Sequence, residues 1–405
     1  MSDAITILHI SDMQFGKFHR FAEKSGNPPN PHDTLTTRLI DDLKFLTKQQ
    51  GLTPELIICT GDLAEWGMPK EFADAFAFLA KLCEHYSLPH NRCVVIPGNH
   101  DINRFSCSAY FDECKSNGEE PDFPWFPKWK QYKAAFDSFY SKFSDTRFDS
   151  VQPWSLFIIE ELHVVVAGLN STMDEGHDAA VNAESREDKG HHGLCEERQY
   201  RWFSDRLSEP HFKGWLCVGA VHHNIIRGCR IDNENLRDAE LLDGILGEHL
   251  HLLLHGHTHE AKAGVLAHRV PVYSTGSASL KTSSETAPVP TDIPNQYQLL
   301  RVECDRITRY CRQYAPRNSP PNFIGDVRQS KTRGDWIIKD DANLSDVDVF
   351  TATAATEDPE FDTDDPKNGG TIIAIPPRLL RRAGLHRLAP VRWAREGTRR
   401  TQRLG

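Results

Sequence analysis

The chain has 405 residues and a net charge of −10, with 39% hydrophobic and 26% charged residues. That length supports a sizeable core in one large domain with additions, or in two domains. No run of about 18 apolar residues suggests a membrane span, the ten cysteines form no CxxC pair and fit reduced thiols, and the net acidity argues against a dedicated nucleic-acid binder. Asp3 leads directly into Ile5–Ile10 with no basic region or long apolar stretch before it, so no secretion signal is expected and the cytoplasm is the predicted location.

Ile5–Ile10 is a β-branched run ending in the polar stretch Ser11-Asp12-Met13-Gln14, which predicts a buried strand delivering a loop. A Pro-rich stretch over 26–31 leads to Thr34, the expected N-cap of a helix to about Gln50, with Leu35, Leu39, Leu43 and Leu46 at helical spacing. Leu56–Thr60 is a second apolar run, ending in Gly61-Asp62. After a helix over Pro69–Tyr86, Cys93–Ile96 is a third, ending in Pro97-Gly98-Asn99-His100-Asp101. Strands alternating with helices, each strand followed by a polar cluster, predict an α/β domain with its site at the carboxyl ends of the strands.

From about 103 to 150 an aromatic-rich insertion breaks the rhythm. It reads as a helical excursion packed on the core or as a lid over a substrate pocket. Paired strands are predicted at Leu156–Ile159 and Val164–Leu169, an exposed loop near the site at 172–192, and a helix at Cys195–Leu207. A strand at Trp215–Val221 ends in His222-His223, and after a helix at about Asn235–Glu248 the run His251–Leu254 ends in Gly256-His257-Thr258-His259. Short strands around Val265–Tyr273 and a hairpin of Gln296–Val302 with Ile307–Ala315 complete a domain expected over 1–320. An extension over 321–350 follows, and then a tail over 351–405, acidic at first and arginine-rich after Gly370, whose composition predicts disorder. The basic part suits contact with nucleic acid, membrane or the acidic segment, or plain solvation.

Asp12 with Gln14, Asp62, Asn99 with His100 and Asp101, His222 with His223, and His257 with His259 each follow an apolar strand. In that order they resemble the motifs of the calcineurin-like metallophosphoesterases: Asp-x-His, Gly-Asp, Gly-Asn-His-Asp/Glu, an isolated His and Gly-His-x-His. The resemblance spans about Ile5 to Gly276. It implies a four-layer α/β/β/α sandwich and two divalent metal ions, with Asp12, Asp62, His259 and Gln14 on one, and Asp62, Asn99, His222 and His257 on the other. His223 stays open as the alternative to His222. The mixture of carboxylate, amide and imidazole suits Mn²⁺, Fe or Zn²⁺.

The same resemblance implies a phosphohydrolase acting on a phosphoester or nucleotide pyrophosphate by attack of a metal-bridging hydroxide. His100 would be the transition-state stabiliser or acid, with Asp101 orienting its imidazole. Gln14 departs from the family's histidine. A similar Asp-x-Gln variant occurs in the branch of manganese-dependent ADP-ribose and CDP-alcohol phosphatases, which favours Mn²⁺. Two other readings stay open: a nuclease of the same fold, and a regulatory protein that has lost a metal. The expected partner is a phosphorylated small molecule or nucleotide.

Overall fold

The computed structural model describes residues 4–21, 34–176, 192–226, 235–280, 294–304 and 306–315, and four further strands within 335–395. The Pro-rich stretch, most of 172–192, the acidic run and most of the arginine-rich tail lie outside the described residues. Strands β1 (Ala4–Ile10), β2 (Leu56–Cys59) and β3 (Cys93–Val95) run parallel. They are buried along nearly their whole length, which explains why they read as continuous apolar runs rather than alternating ones.

Helix α1 (Leu35–Gln50) returns the chain from β1 to β2, and α2 (Pro69–His85) from β2 to β3. Thr34 caps α1 by accepting the Thr37 N–H at 3.2 Å, Gly51 ends it at φ 67°, and Leu35, Leu39, Leu43 and Leu46 face the core. Pro69 opens α2, where the Glu71 carboxylate accepts the N–H groups of Met68 at 3.0 Å and Trp66 at 2.9 Å.

The insertion forms α3 (Arg104–Asn117) and α4 (Lys130–Phe139). Its aromatics chiefly pack inward: Trp129, Tyr132, Phe136 and Phe148 are buried, and the Tyr132 hydroxyl donates to the Val95 carbonyl of β3 at 3.2 Å. The insertion is thus anchored on the core.

A second sheet follows, with β4 (Ser155–Ile159), β5 (Val164–Gly168), β6 (Leu216–Ala220), β7 (Leu252–His255), β8 (Ala263–Val265) and β9 (Pro271–Ser274) in the order β4-β5-β6-β7-β9-β8. Helices α5 (Glu197–Leu207) and α6 (Ala239–Leu246) connect its parallel strands. The chain then returns to the first sheet through β10 (Gln296–Glu303), antiparallel to β1, and β11 (Arg306–Ala315). The two sheets share one core, with helices outside them, as the sandwich expectation requires.

An ion-paired contact ties α1 to this hairpin. The Asp42 carboxylate accepts from Arg312 Nε at 2.9 Å and Nη2 at 2.6 Å and from the Tyr297 hydroxyl, all buried. The sheet goes on past the expected domain end. Strands β12 (Asp335–Ile338) and β13 (Val347–Ala354) pair with β11, β15 (Val391–Arg395) with β13, and β14 (Ile372–Ile375) with β15. The tail boundary expected at 351 therefore falls inside β13. The alternating β-branched run Val347, Val349, Thr351, Thr353 supplies the physical reason, since it suits a strand better than a solvated tail. The nine described cysteines are free, and no helix among the described residues is long and apolar enough to cross a membrane.

Candidate metal centre

Five strand ends converge on one point. Asp12 follows β1, Asp62 β2 and Asn99 β3 on the first sheet, while His222 follows β6 and His257 and His259 follow β7 on the second. Ligand atoms of Asp12, Asp62 and His259 lie within 4.8 Å of one another, with His259 Nε2 3.1 Å from Asp12 Oδ1. A second group forms around Asn99, whose Oδ1 is 2.9 Å from His222 Nε2 and 3.1 Å from His257 Nδ1. His222 Nε2 also stands 3.4 Å from Asp62 Oδ1. Asp62 faces both groups, the position expected of a bridging ligand.

The backbone is strained to hold these side chains. Asp12, Gln14, Asp62, His257 and His259 all adopt left-handed φ angles, 52°, 40°, 53°, 67° and 54°. Such conformations in non-glycine residues cost about 1–3 kcal/mol each and persist where the surroundings impose them, chiefly at functional sites. Close approach also requires Gly256: a Cβ there would lie 2.0 Å from Ser11 Oγ and 2.6 Å from Asp12 Oδ2. Backbone amides complete the cage, as the His257 N–H donates to Asp12 Oδ2 at 3.1 Å and the His100 N–H to Asp62 Oδ1 at 2.8 Å.

The donor set fits a metal. Burial alone would raise the pKa of Asp12, but the adjacent His259 outweighs it and holds the carboxyl below its ordinary range. Asp12 is thus available as an anionic ligand. His222 Nδ1 faces the Thr60 carbonyl at 2.7 Å. A carbonyl only accepts, so the proton sits on Nδ1 and Nε2 presents its lone pair to the centre. Sequence reasoning did not single out Thr60, because a backbone acceptor leaves no side-chain signature. Behind it His9, fully buried and lowered to about 3 by that burial, holds the Thr60 hydroxyl at 2.9 Å and takes Gln298 Nε2 on its other nitrogen at 2.7 Å.

The neighbouring histidines separate clearly. His223 Nδ1 is engaged by Ser171 Oγ at 2.7 Å, and its ring lies tilted against His257 with centroids 4.5 Å apart. His222 is the member of the pair that reaches Asn99 and Asp62. Gln14 lies at the site, its Nε2 donating to Asp62 Oδ2 at 3.2 Å. The amide therefore presents its nitrogen, not its carbonyl oxygen, to the shared carboxylate, which can only accept.

One expected role is corrected. Asp101 does not orient the His100 imidazole: its two oxygens accept the N–H groups of Ala64 at 2.8 Å and Gly98 at 2.9 Å, so it fixes the loops carrying Asp62 and Asn99. His100 is oriented by the Glu65 carbonyl instead, which accepts from Nδ1 at 2.9 Å, so Nε2 is the nitrogen that carries the lone pair. The described start of the 172–192 loop is likewise buried at Thr172 and Met173 rather than exposed. Lys128 reaches in from the insertion and donates to the carbonyls of Thr172, Met173 and Glu175 at 2.8, 2.7 and 2.8 Å.

The calcineurin-like phosphoesterase model matches residues 5–261, which contain every one of these candidate ligands. The chain belongs to this family. Similar solved structures include a dimetal phosphatase from Danio rerio, with 12% identity, a TM-score of 0.46, and 76% of this chain and 96% of that one covered. PhoD, with 12% identity and a TM-score of 0.44, covers 76% and 66%. GAP50, the anchor in the inner membrane complex of Plasmodium, has 10% identity and a TM-score of 0.39 over 76% and 84%. A search of curated proteins found no match. As a calcineurin-like phosphoesterase the protein is a metal-binding hydrolase of phosphoesters.

Proposed function

We propose that this phosphoesterase uses two divalent ions, with Asp12, Asp62 and His259 holding one and Asp62, Asn99, His222 and His257 the other. The observation that carries the reading is the position of Asp62, which belongs to the three-residue group with Asp12 and His259 and also stands 3.4 Å from His222. Bound divalent ions activate water as a nucleophile and neutralise charge on a phosphoryl oxygen. Asp12 and Asp62 keep the site anionic until it is loaded. Asn99 adds a neutral oxygen, so the loaded centre retains positive charge for a phosphoester despite the chain's net charge of −10.

His100, held through Nδ1 by the Glu65 carbonyl, directs Nε2 toward the substrate, where it protonates the leaving oxygen or hydrogen-bonds the transferring phosphoryl group. Gln14 in place of histidine moves the preference of the first site from zinc toward Mn²⁺, because an amide is a poorer ligand for zinc-like ions. The substrate class is a phosphomonoester, phosphodiester or nucleotide pyrophosphate.

The test combines metal analysis of the purified protein with a panel of bis-p-nitrophenyl phosphate, cyclic nucleotides and ADP-ribose assayed with added Mn²⁺. Hydrolysis of at least one member with two ions per chain is expected. One ion or none, with no turnover of any ester, refutes the reading and returns a binding role. Two zinc ions and unchanged metal dependence in Gln14→His remove the Mn²⁺ assignment.

A further inference from the structure

An exposed tryptophan is next in the chain to the residue whose carbonyl holds His100, and it is fixed through both its backbone and its indole. Trp66 follows Glu65, whose carbonyl takes the His100 Nδ1 proton. Its backbone N–H is fixed by Glu71 at 2.9 Å, and its indole Nε1 donates to Glu65 Oε1 at 2.8 Å. Glu65 is itself 5% exposed, and its other oxygen accepts the Phe18 N–H at 2.9 Å. The indole is thus fastened where two ligand-bearing loops run side by side: Gln14 N–H bonds the Asp62 carbonyl at 2.8 Å, and Glu65 N–H the Phe15 carbonyl at 3.2 Å. Yet Trp66 remains 51% exposed.

A large aromatic surface left in water usually finds cover, and one whose rotamer is already fixed loses little entropy on stacking. The neighbouring rim carries another: Asn103 Nδ2 donates to the Gly67 carbonyl at 3.1 Å, and two residues on Phe105 is 67% exposed.

We infer that Trp66 is a specificity residue that stacks on an aromatic ring in the leaving group, which makes nucleoside or aryl phosphoesters the favoured substrates. The inference rests on the proposed function, since it takes His100 as the group on the leaving-group side. The α4 aromatics of the insertion do not serve here, because Tyr132, Phe136 and Phe139 are spent on the core. Stacking one base on an aromatic side chain corresponds to about tenfold or more in affinity.

The test measures binding of the phosphonate analogues of AMP and ribose 5-phosphate, whose P–C bond is not hydrolysed, to the Mn²⁺-loaded protein. The wild type should prefer the adenosine analogue by about tenfold. Trp66→Ala should collapse that ratio toward one, and Trp66→Phe, which keeps a stacking face but loses the bond to Glu65, should retain most of it. In substrates that turn over, the loss should fall on KM more than on kcat. A wild type without the preference, an alanine variant that keeps it, or a phenylalanine variant that loses as much as alanine overturns the assignment. A wild type that shows the preference but hydrolyses no phosphoester overturns the proposed function alone and leaves the stacking subsite standing.

Discussion

Lys128→Met offers a quantitative check on how the insertion is moored. The ammonium is fully buried, gives its three protons to three carbonyls, and lies 4.3 Å from the Trp129 ring centroid. Burial lowers its pKa from 10.5 to about 7, against the opposing pull of Cys107, Glu175, Asp174 and Glu196. In the unfolded chain the amine stays protonated to its ordinary value. Between about pH 7 and 10.5 the unfolded state therefore binds more protons than the folded one, and this residue's contribution to stability rises with pH. The limiting slope is about 1.4 kcal/mol per pH unit, and allowing for half-protonation at the start the gain from pH 7 to 9 is about 2 kcal/mol. Methionine keeps the stem and removes the titration. Urea denaturation of both proteins at pH 7, 8 and 9 should show the wild type gaining about 2 kcal/mol on the variant, other titrating groups cancelling in the difference. Parallel stability curves within about 0.5 kcal/mol would refute the account of a buried, deprotonating lysine.

Further expectations concern the centre and its frame. His259→Ala should lose metal more readily than His257→Ala, because only Asp12 and Asp62 would then offer ligand atoms at the first site, where Gln14 turns its amide nitrogen to Asp62, whereas Asp62, Asn99 and His222 would still serve the second; counting ions per chain after dialysis decides the order. Gly256→Ala, whose Cβ would meet Ser11 Oγ at 2.0 Å, should weaken metal binding at least as much as the roughly tenfold to hundredfold lost with an outer-shell partner, measured by titration against a chelator. Asp42→Ala strands the buried Arg312 guanidinium and should lower stability by about 3–5 kcal/mol in urea denaturation; wild-type stability would remove that ion pair from the frame.

The strands and their polar ends were legible because buried parallel strands write themselves as apolar runs, and because a converging site needs one chemical group at each end. Thr34 marked the start of its helix through ordinary capping chemistry. Asp101 was misjudged since adjacency in sequence to His100 says nothing of direction: its short side chain turns back to the amides of Ala64 and Gly98. Lys128 gave no signal at all, as its partners are carbonyls, which every residue carries. Trp66 carries no signal in the sequence, since what marks it is that Glu65 holds both its indole and the His100 ring. The aromatic insertion was legible as a helical body, whereas its attachment to β3 through Tyr132 depends on a backbone carbonyl.

Each ligand group draws on both sheets: Asp12 and Asp62 meet His259, and Asp62 with Asn99 meets His222 and His257. The Asp12 to His257 contact alone closes a loop of 245 residues. An ion held in this way recognises only chains whose sheets have already docked, so metal binding and global folding are one linked equilibrium. At a free concentration 100 times its dissociation constant, an ion adds about 2.7 kcal/mol to the docked state. A metal bound there would also act as a clasp, and a chelator should act on this protein as a mild denaturant as well as an inhibitor.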